Sequence, residues 1–237
     1  MSFFWKPELI NFMKDASEYG EYNKIIVDEI KDWIHPNYNI CEAGCGLGYL
    51  SLELRNFVNS VTAVDINEEV LEILKKNCIK EKVSNIRIEN CDTRKSLPKT
   101  SFDKSYDALV SCMYGGVENA VKIAKREGIS RVISVVSTTG RHSLSRKTEE
   151  KPSKFEVGIE YLNKVGLKYE CKTKSIEFGQ PLRSQRDAEI FLTMYGGEST
   201  GPISKSYIDS KVRINNSKEY PLYIPIQRER GFFYIEL

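Results

Sequence analysis

The chain has 237 residues, 41% of them hydrophobic and 29% charged, which suits one large globular domain rather than two. Its 35 basic and 33 acidic side chains leave a formal net charge of +2, so no strong positive field gathers nucleic acid, and nucleic-acid partners are not expected. No stretch reaches the ~18 uninterrupted apolar residues that span a bilayer, and Met1 to Glu8 lacks the organisation of a signal peptide, so a cytoplasmic protein without membrane contact is expected.

Residues 7–34 carry Leu9, Ile10, Phe12 and Met13, then Ile25, Ile26, Ile30 and Trp33, at helical spacing, with Gly20 dividing two helices. His35-Pro36-Asn37 ends them, because a proline disfavours helix in the residue before it. Tyr38 to Glu42 reads as a short strand, Leu47 to Val58 as an amphipathic helix and Val61 to Asp65 as a second strand. Asn67 to Ile79 is a helix with Asn67 as its N-cap, followed by a third strand, Asn85 to Asn90, and a fourth, Tyr106 to Ser111. Val117 to Glu127 is a helix closed by Gly128, and Arg131 to Ser137 is a fifth strand, so the early strands are expected to be joined by helical crossovers on a parallel sheet. Lys154 to Val165 is a helix ending at Gly166, Leu167 to Phe178 is extended, Ser184 to Met194 is helical and Phe232 to Glu236 is the last strand. Between the last two lies a polar run, Gly196 to Glu219, with neither period; it reads as a lid.

Cysteines 41, 45, 78, 91, 112 and 171 are scattered rather than paired at metal-ligand spacing and read as free thiols. Cys41 and Cys45 are spaced like two ligands of an iron–sulfur cluster, but position 48, where a third would stand, is glycine, and no metal is expected.

The chemistry concentrates where the first strand meets its helix. Gly44, Gly46 and Gly48 alternate directly after Glu42, with Cys45 between them, and glycine there lets a ligand lie against bare backbone at a helix start. A dinucleotide site more often has its third glycine one residue later, where this chain has Tyr49, so the spacing leans away from a nicotinamide oxidoreductase. Asp65, seventeen positions after Gly48, closes the second strand, where a carboxylate can accept from both hydroxyls of a ribose. Asp92 follows the third strand at the same sheet edge and can accept from an adenine amino group.

Glu42-x-Gly44-x-Gly46-x-Gly48, Asp65 and Asp92-Thr93 together resemble the cofactor motifs of class I S-adenosylmethionine-dependent methyltransferases over roughly residues 38–140. The resemblance implies an α/β, Rossmann-like, doubly wound seven-stranded sheet, mostly parallel with an antiparallel last strand. N-terminal helices and a C-terminal insertion complete it. One domain over residues 1–237 is expected, with 1–36 a helical cap, 38–140 the cofactor-binding core and 180–225 an insertion or lid. S-adenosylmethionine is the implied cofactor. Gly44, Cys45, Gly46 and Gly48 would lie under its methionine moiety, Glu42 at its amino end, Asp65 and Ile66 at the ribose, Asp92 and Thr93 at adenine, and Ser111 at the end of the fourth strand.

Beyond that strand, Ser111-Cys112-Met113-Tyr114-Gly115-Gly116 departs from the Asn-Pro-Pro-Tyr of enzymes that methylate planar amides or exocyclic amines. Tyr114 either orients a substrate or packs in the core, and Cys112 reads as a packed thiol. His142, after the fifth strand, is a candidate proton acceptor or an exposed loop residue, and Arg141, Arg146 and Lys147 make its loop basic. Phe3, Phe4, Trp5, Tyr19 and Tyr22 either lid the cofactor or pack a helix, and Gln180, Arg183, Gln185 and Arg186 are candidates for polar substrate contacts. The resulting expectation is metal-independent methyl transfer to a small molecule, with oxygen, nitrogen and carbon acceptors all open. The alternatives are a noncatalytic S-adenosylmethionine-binding module and an aminopropyl-transferase-like enzyme.

Overall fold

The computed structural model describes residues 5–99, 106–141, 143–145, 151–196 and 203–237. The chain begins with α1 (Pro7–Tyr19) and α2 (Tyr22–Ile30), broken at Gly20 as its spacing predicts, and a 3-10 turn over Lys31–Trp33. There follow β1 (Asn39–Ala43), α3 (Tyr49–Leu54), β2 (Ser60–Asp65), α4 (Glu68–Lys80), β3 (Ile86–Asn90), β4 (Ala108–Cys112), α5 (Val117–Glu127), β5 (Arg131–Ser137) and α6 (Lys154–Val165). The remainder is β6 (Tyr169–Glu177), β7 (Gln180–Leu182), α7 (Gln185–Gly196), α8 (Lys205–Lys211), β8 (Arg213–Ile214), β9 (Leu222–Ile224) and β10 (Gln227–Glu236).

Seven strands form one sheet in the order β3-β2-β1-β4-β5-β10-β6. β1 runs parallel to β2 and β4, β2 to β3 and β4 to β5, while β10 is antiparallel to β5. This is the Rossmann-like arrangement expected, and it turns the carboxyl ends of β1, β2, β3 and β4 toward one edge, where open α/β sheets bind ligands. Among the described residues no helix joins β3 to β4, against the expected crossover.

By backbone packing the chain separates into two compact units. One comprises Asn23–Thr138, Lys154–Lys174 and Arg230–Leu237; the other comprises Met1–Tyr22, Thr139–Ser153 and Ser175–Glu229. The first is built on β-branched and small residues, with Ile40, Val61, Val64, Leu109, Val110, Val132, Ile133 and Phe233 fully buried. Such strands are covered on both faces, which is why they read as nearly continuous apolar runs.

The second unit holds an antiparallel sheet in the order β7-β9-β8, with Phe12, Leu182, Phe191, Leu192, Ile208 and Ile224 in its core. Within the polar run 196–219, whose residues 197–202 lie outside the described residues, stand α8 and β8, where neither period was expected. Ser204 caps α8 by accepting from the Tyr207 N–H, and Ile208 is the helix's buried anchor. One buried residue in seven leaves too little period to register in the sequence. Two of the candidates for polar substrate contacts have partners within this unit: Gln180 is buried and donates to the Phe12 carbonyl at 3.2 Å, and Arg183 grips Asp15 through both terminal nitrogens. The Tyr220 hydroxyl adds a hydrogen bond of 3.0 Å to the same carboxylate, so both oxygens of buried Asp15 have a donor. The N-terminal aromatics are also committed within this unit. Tyr22 stacks on Phe178 at 4.3 Å between ring centres, and Tyr19 meets Tyr220 and Tyr223 at 5.8 and 5.6 Å. Phe3 and Phe4 lie outside the described residues. No helix among the described residues is long and apolar enough to cross a membrane.

Candidate active site

β1 delivers Glu42 and Ala43 to the sheet edge, and the chain then turns through Gly44 (φ +70°), Gly46 (φ +54°) and Gly48 (φ +77°). Gly48 is the left-handed N-cap of α3, so the helix starts at Tyr49 rather than at Leu47, and it is shorter than the expected Leu47–Val58. A methyl group on Gly48 would meet the Leu74 side chain at 2.5 Å, which makes glycine a requirement of packing as well as of φ. The turn is anchored by Gly44 and Cys45, whose N–H groups both donate to the Val64 carbonyl, at 2.8 and 3.0 Å.

Asp65, at the end of β2, fixes the turn from the neighbouring strand. Its Oδ2 accepts from the Gly46 N–H at 2.9 Å and its Oδ1 from the Asn67 N–H at 2.9 Å. Each oxygen keeps lone-pair capacity for a further donor. Asn67 in turn caps α4, as its position predicts, accepting from the Val70 N–H at 3.2 Å. Ile66 stands 54% exposed beside this carboxylate, and Asn90, paired with Asp65 across β2 and β3, donates to the Ile66 carbonyl at 2.9 Å. Asn90 was not singled out in the sequence; its signal is a polar residue closing a strand in register with an acidic one.

Glu42 is only 2% exposed. Burial, reinforced by the nearby Asp65 charge, raises its carboxyl from 4.5 to about 7, although Ser51 Oγ donates a hydrogen bond that favours the ionised form. Because the folded-state value lies above the unfolded one, this contribution to stability is fully present below pH 4.5 and is lost as pH rises through about 7. The difference amounts to about 3 kcal/mol. The wild type is therefore expected to lose thermal midpoint between about pH 5 and 8, and Glu42→Gln to flatten that fall; superimposable profiles would show the carboxyl to be unperturbed.

Around Asp92 the structure adds an ion pair. Arg94 grips it with Nε and Nη2 at 2.8 and 2.9 Å, and this hydrogen bonding holds the carboxyl below its ordinary value. Arg126 braces the same loop by donating to the Thr93 and Arg94 carbonyls at 2.8 Å each.

After β4 the backbone is strained at Met113 (φ +55°), a non-glycine residue left 51% exposed, and Gly115 and Gly116 continue with positive φ. Such outliers gather at functional sites because their surroundings must hold them. Here the Met113 N–H donates to Val135 O at 2.7 Å, and both the Ser111 hydroxyl and the Gly116 N–H donate to Tyr114 O, at 2.8 and 2.7 Å. Ser111 thus shapes the turn. Tyr114 lies across Gly44, where a methyl group would come within 2.3 Å of its ring, and its hydroxyl shares a 2.7 Å hydrogen bond with Thr93 Oγ1. One aromatic ring therefore links the ends of β1, β3 and β4. Burial pushes the Cys112 thiol up to about 12, which suits a packed thiol and not a nucleophile. Cys45 is likewise buried and its thiol is raised. His142, Arg146 and Lys147 lie outside the described residues.

The family described as "Methyltransferase domain" matches residues 34–183, more than half of the chain. The chain belongs to this methyltransferase family. Fold and family together make it a class I domain with S-adenosylmethionine as methyl donor. Among solved structures the methyltransferase is similar to the YcgJ protein of Bacillus subtilis, with a TM-score of 0.57 and 14% identity over 91% of this chain and 98% of that one. It is also similar to magnesium protoporphyrin IX methyltransferase from Synechocystis, solved with bound S-adenosylmethionine, with a TM-score of 0.50 and 14% identity over 100% of this chain and 87% of that one. At such identities these likenesses speak for the fold alone. Among curated proteins, ribosomal RNA small subunit methyltransferase A of Wigglesworthia glossinidia brevipalpis is 32% identical over 126 residues, 48% of this chain and 44% of that protein. A relative described in similar words, from Methanosphaera stadtmanae, is 39% identical over 103 residues, 41% of this chain and 37% of that protein. The chain thus aligns with less than half the length of either. Those names also leave the exclusion of nucleic-acid partners, expected from net charge, without support.

Proposed function

We propose that the methyltransferase moves the methyl group of S-adenosylmethionine to a small-molecule acceptor without a metal ion. The observation that carries the cofactor reading is the buried Glu42 carboxyl behind a glycine turn, raised by its burial and by the neighbouring Asp65 charge. An ammonium group, met directly or through water, would favour the ionised form of such a carboxyl. In this reading residues 38–140 are the cofactor core, and Gly44, Cys45, Gly46 and Gly48 offer backbone to the methionine moiety. Asp65 accepts from the ribose hydroxyls with the lone pairs left over from Gly46 and Asn67. Exposed Ile66 covers an apolar face of the nucleoside, Asp92 and Thr93 border adenine, and Ser111 holds the turn above which the acceptor arrives.

S-adenosylmethionine supplies the activated methyl on its sulfonium, so the chain's task is to align an acceptor and exclude water. Tyr114, pinned by Thr93, is the residue we assign to orienting that acceptor, and His142 is assigned to receiving its proton. The small-molecule reading rests on Ser111-Cys112-Met113-Tyr114, which stands where amine-methylating enzymes carry Asn-Pro-Pro-Tyr, and on the near balance of charge. A second reading, methylation of RNA, is favoured by the names of the curated relatives. Incubation with methyl-labelled cofactor separates the two: label is expected in a small-metabolite extract and not in total RNA, and label in RNA alone overturns the choice.

A further inference from the structure

β6 ends the seven-stranded sheet, and no described strand lies beyond it. Residues 170–175 are all exposed along this edge, with no proline among them. The Lys168 carbonyl, just before β6, accepts from the Glu236 N–H on β10 at 3.3 Å. Backbone groups alternate sides along an extended strand, so Tyr169, Cys171 and Thr173 direct their N–H and C=O groups away from β10, toward the free edge. A bare edge of this kind is a template for another strand. Proteins usually blunt such edges with lysines, but here the lysines are turned onto one face of the sheet. Lys172 and Lys174 reach Glu29 at 3.2 and 3.1 Å, and Lys172 also lies over the Trp33 ring, 5.0 Å from its centre. Glu170 is on the same face and accepts from Trp33 Nε1 at 3.2 Å.

We infer that this edge pairs antiparallel with the β6 edge of a second copy of the chain, about a two-fold axis at Cys171. Charge selects the register. Centring on Cys171 sets Glu170 opposite the partner copy's Lys172 twice over, and Tyr169 opposite Thr173, an aromatic pair with a β-branched residue. Centring on Lys172 would oppose two lysines directly, and centring on Thr173 would oppose Lys172 with Lys174 twice. With Cys171 at the axis the outward groups of 169, 171 and 173 form about six backbone hydrogen bonds, and the two Cys171 Cα atoms stand about 5.5 Å apart, within reach of a disulfide. The two sheets become one continuous sheet, and the interface is isologous.

Sedimentation analysis of the full chain under reducing conditions tests this, with a dimer expected at concentrations of about 10–100 μM, as suits a small interface. Thr173→Pro removes an N–H that faces outward and is therefore spared by the sheet itself; it should raise the dimer Kd at least about tenfold while circular dichroism stays unchanged. Lys172→Glu should do the same, and adding Glu170→Lys to it should restore association, since the pair is exchanged as a unit. Mild oxidation should give a covalent dimer that Cys171→Ser abolishes. A chain that remains monomeric throughout this range, or a dimer indifferent to Thr173→Pro and to both charge variants, overturns the inference.

Discussion

Gly44→Ala is expected to destabilise the domain by about 2–5 kcal/mol and to abolish cofactor binding. Two independent costs add. The residue sits at φ +70°, where a side chain costs about 1–2 kcal/mol, and its new methyl would lie 2.3 Å from the Tyr114 ring. The ring cannot yield freely, because its hydroxyl is held by Thr93 and its carbonyl by Ser111 and Gly116. Denaturant unfolding of Gly44→Ala, Tyr114→Ala and the double variant resolves the two costs. In the double variant the steric part should vanish and the backbone part should remain, so its destabilisation falls short of the sum of the single ones. Additive losses would mean that the ring and the turn are not in contact.

The elements read correctly from the sequence are those whose ends are written in local chemistry. Asn67 caps α4 with its own side chain, and Gly128 closes α5 at φ +68°. Gly166 follows α6 with the same φ, and proline precedes the first strand at position 36. The glycine turn was legible for the same reason: three residues without a side chain directly after a strand have few other uses. What escaped was held together over distance. β7 and β9 are three residues each and pair across some forty positions, with Pro181 opposite Tyr223, so neither carries a period of its own. The candidate site divides along the same line. Glu42, Asp65 and Asp92 stood out as acids at strand ends, whereas the pairing of Asp92 with Arg94 needed coordinates to be seen. Tyr114 was suspected either as a substrate contact or as packing; its position across Gly44, seventy residues earlier, shows one ring closing the turn. The left-handed Met113 has no signature in the sequence, because only its neighbours' hydrogen bonds hold it there.

Asp65 carries the second large effect. Its carboxylate already serves two backbone donors, and in the proposed complex it also accepts from the ribose, so Asp65→Ala loses charged hydrogen bonds to the ligand and slackens the Gly46 turn together. Loss of such bonds costs about 2–3 kcal/mol, or about 30–150-fold in affinity. Variants of Asp15, in the other unit, should leave this affinity unchanged while lowering stability, since Asp15 serves only Arg183 and Tyr220 among the contacts described above. The measurement that bears most directly on the account is a calorimetric titration of the wild-type chain and of Asp65→Ala with S-adenosylhomocysteine, with NAD as the competing ligand. Saturable binding of S-adenosylhomocysteine to wild type, weakened by the stated factor in the variant, is the expected result; equal affinity in the two proteins, or a preference for NAD, would contradict it.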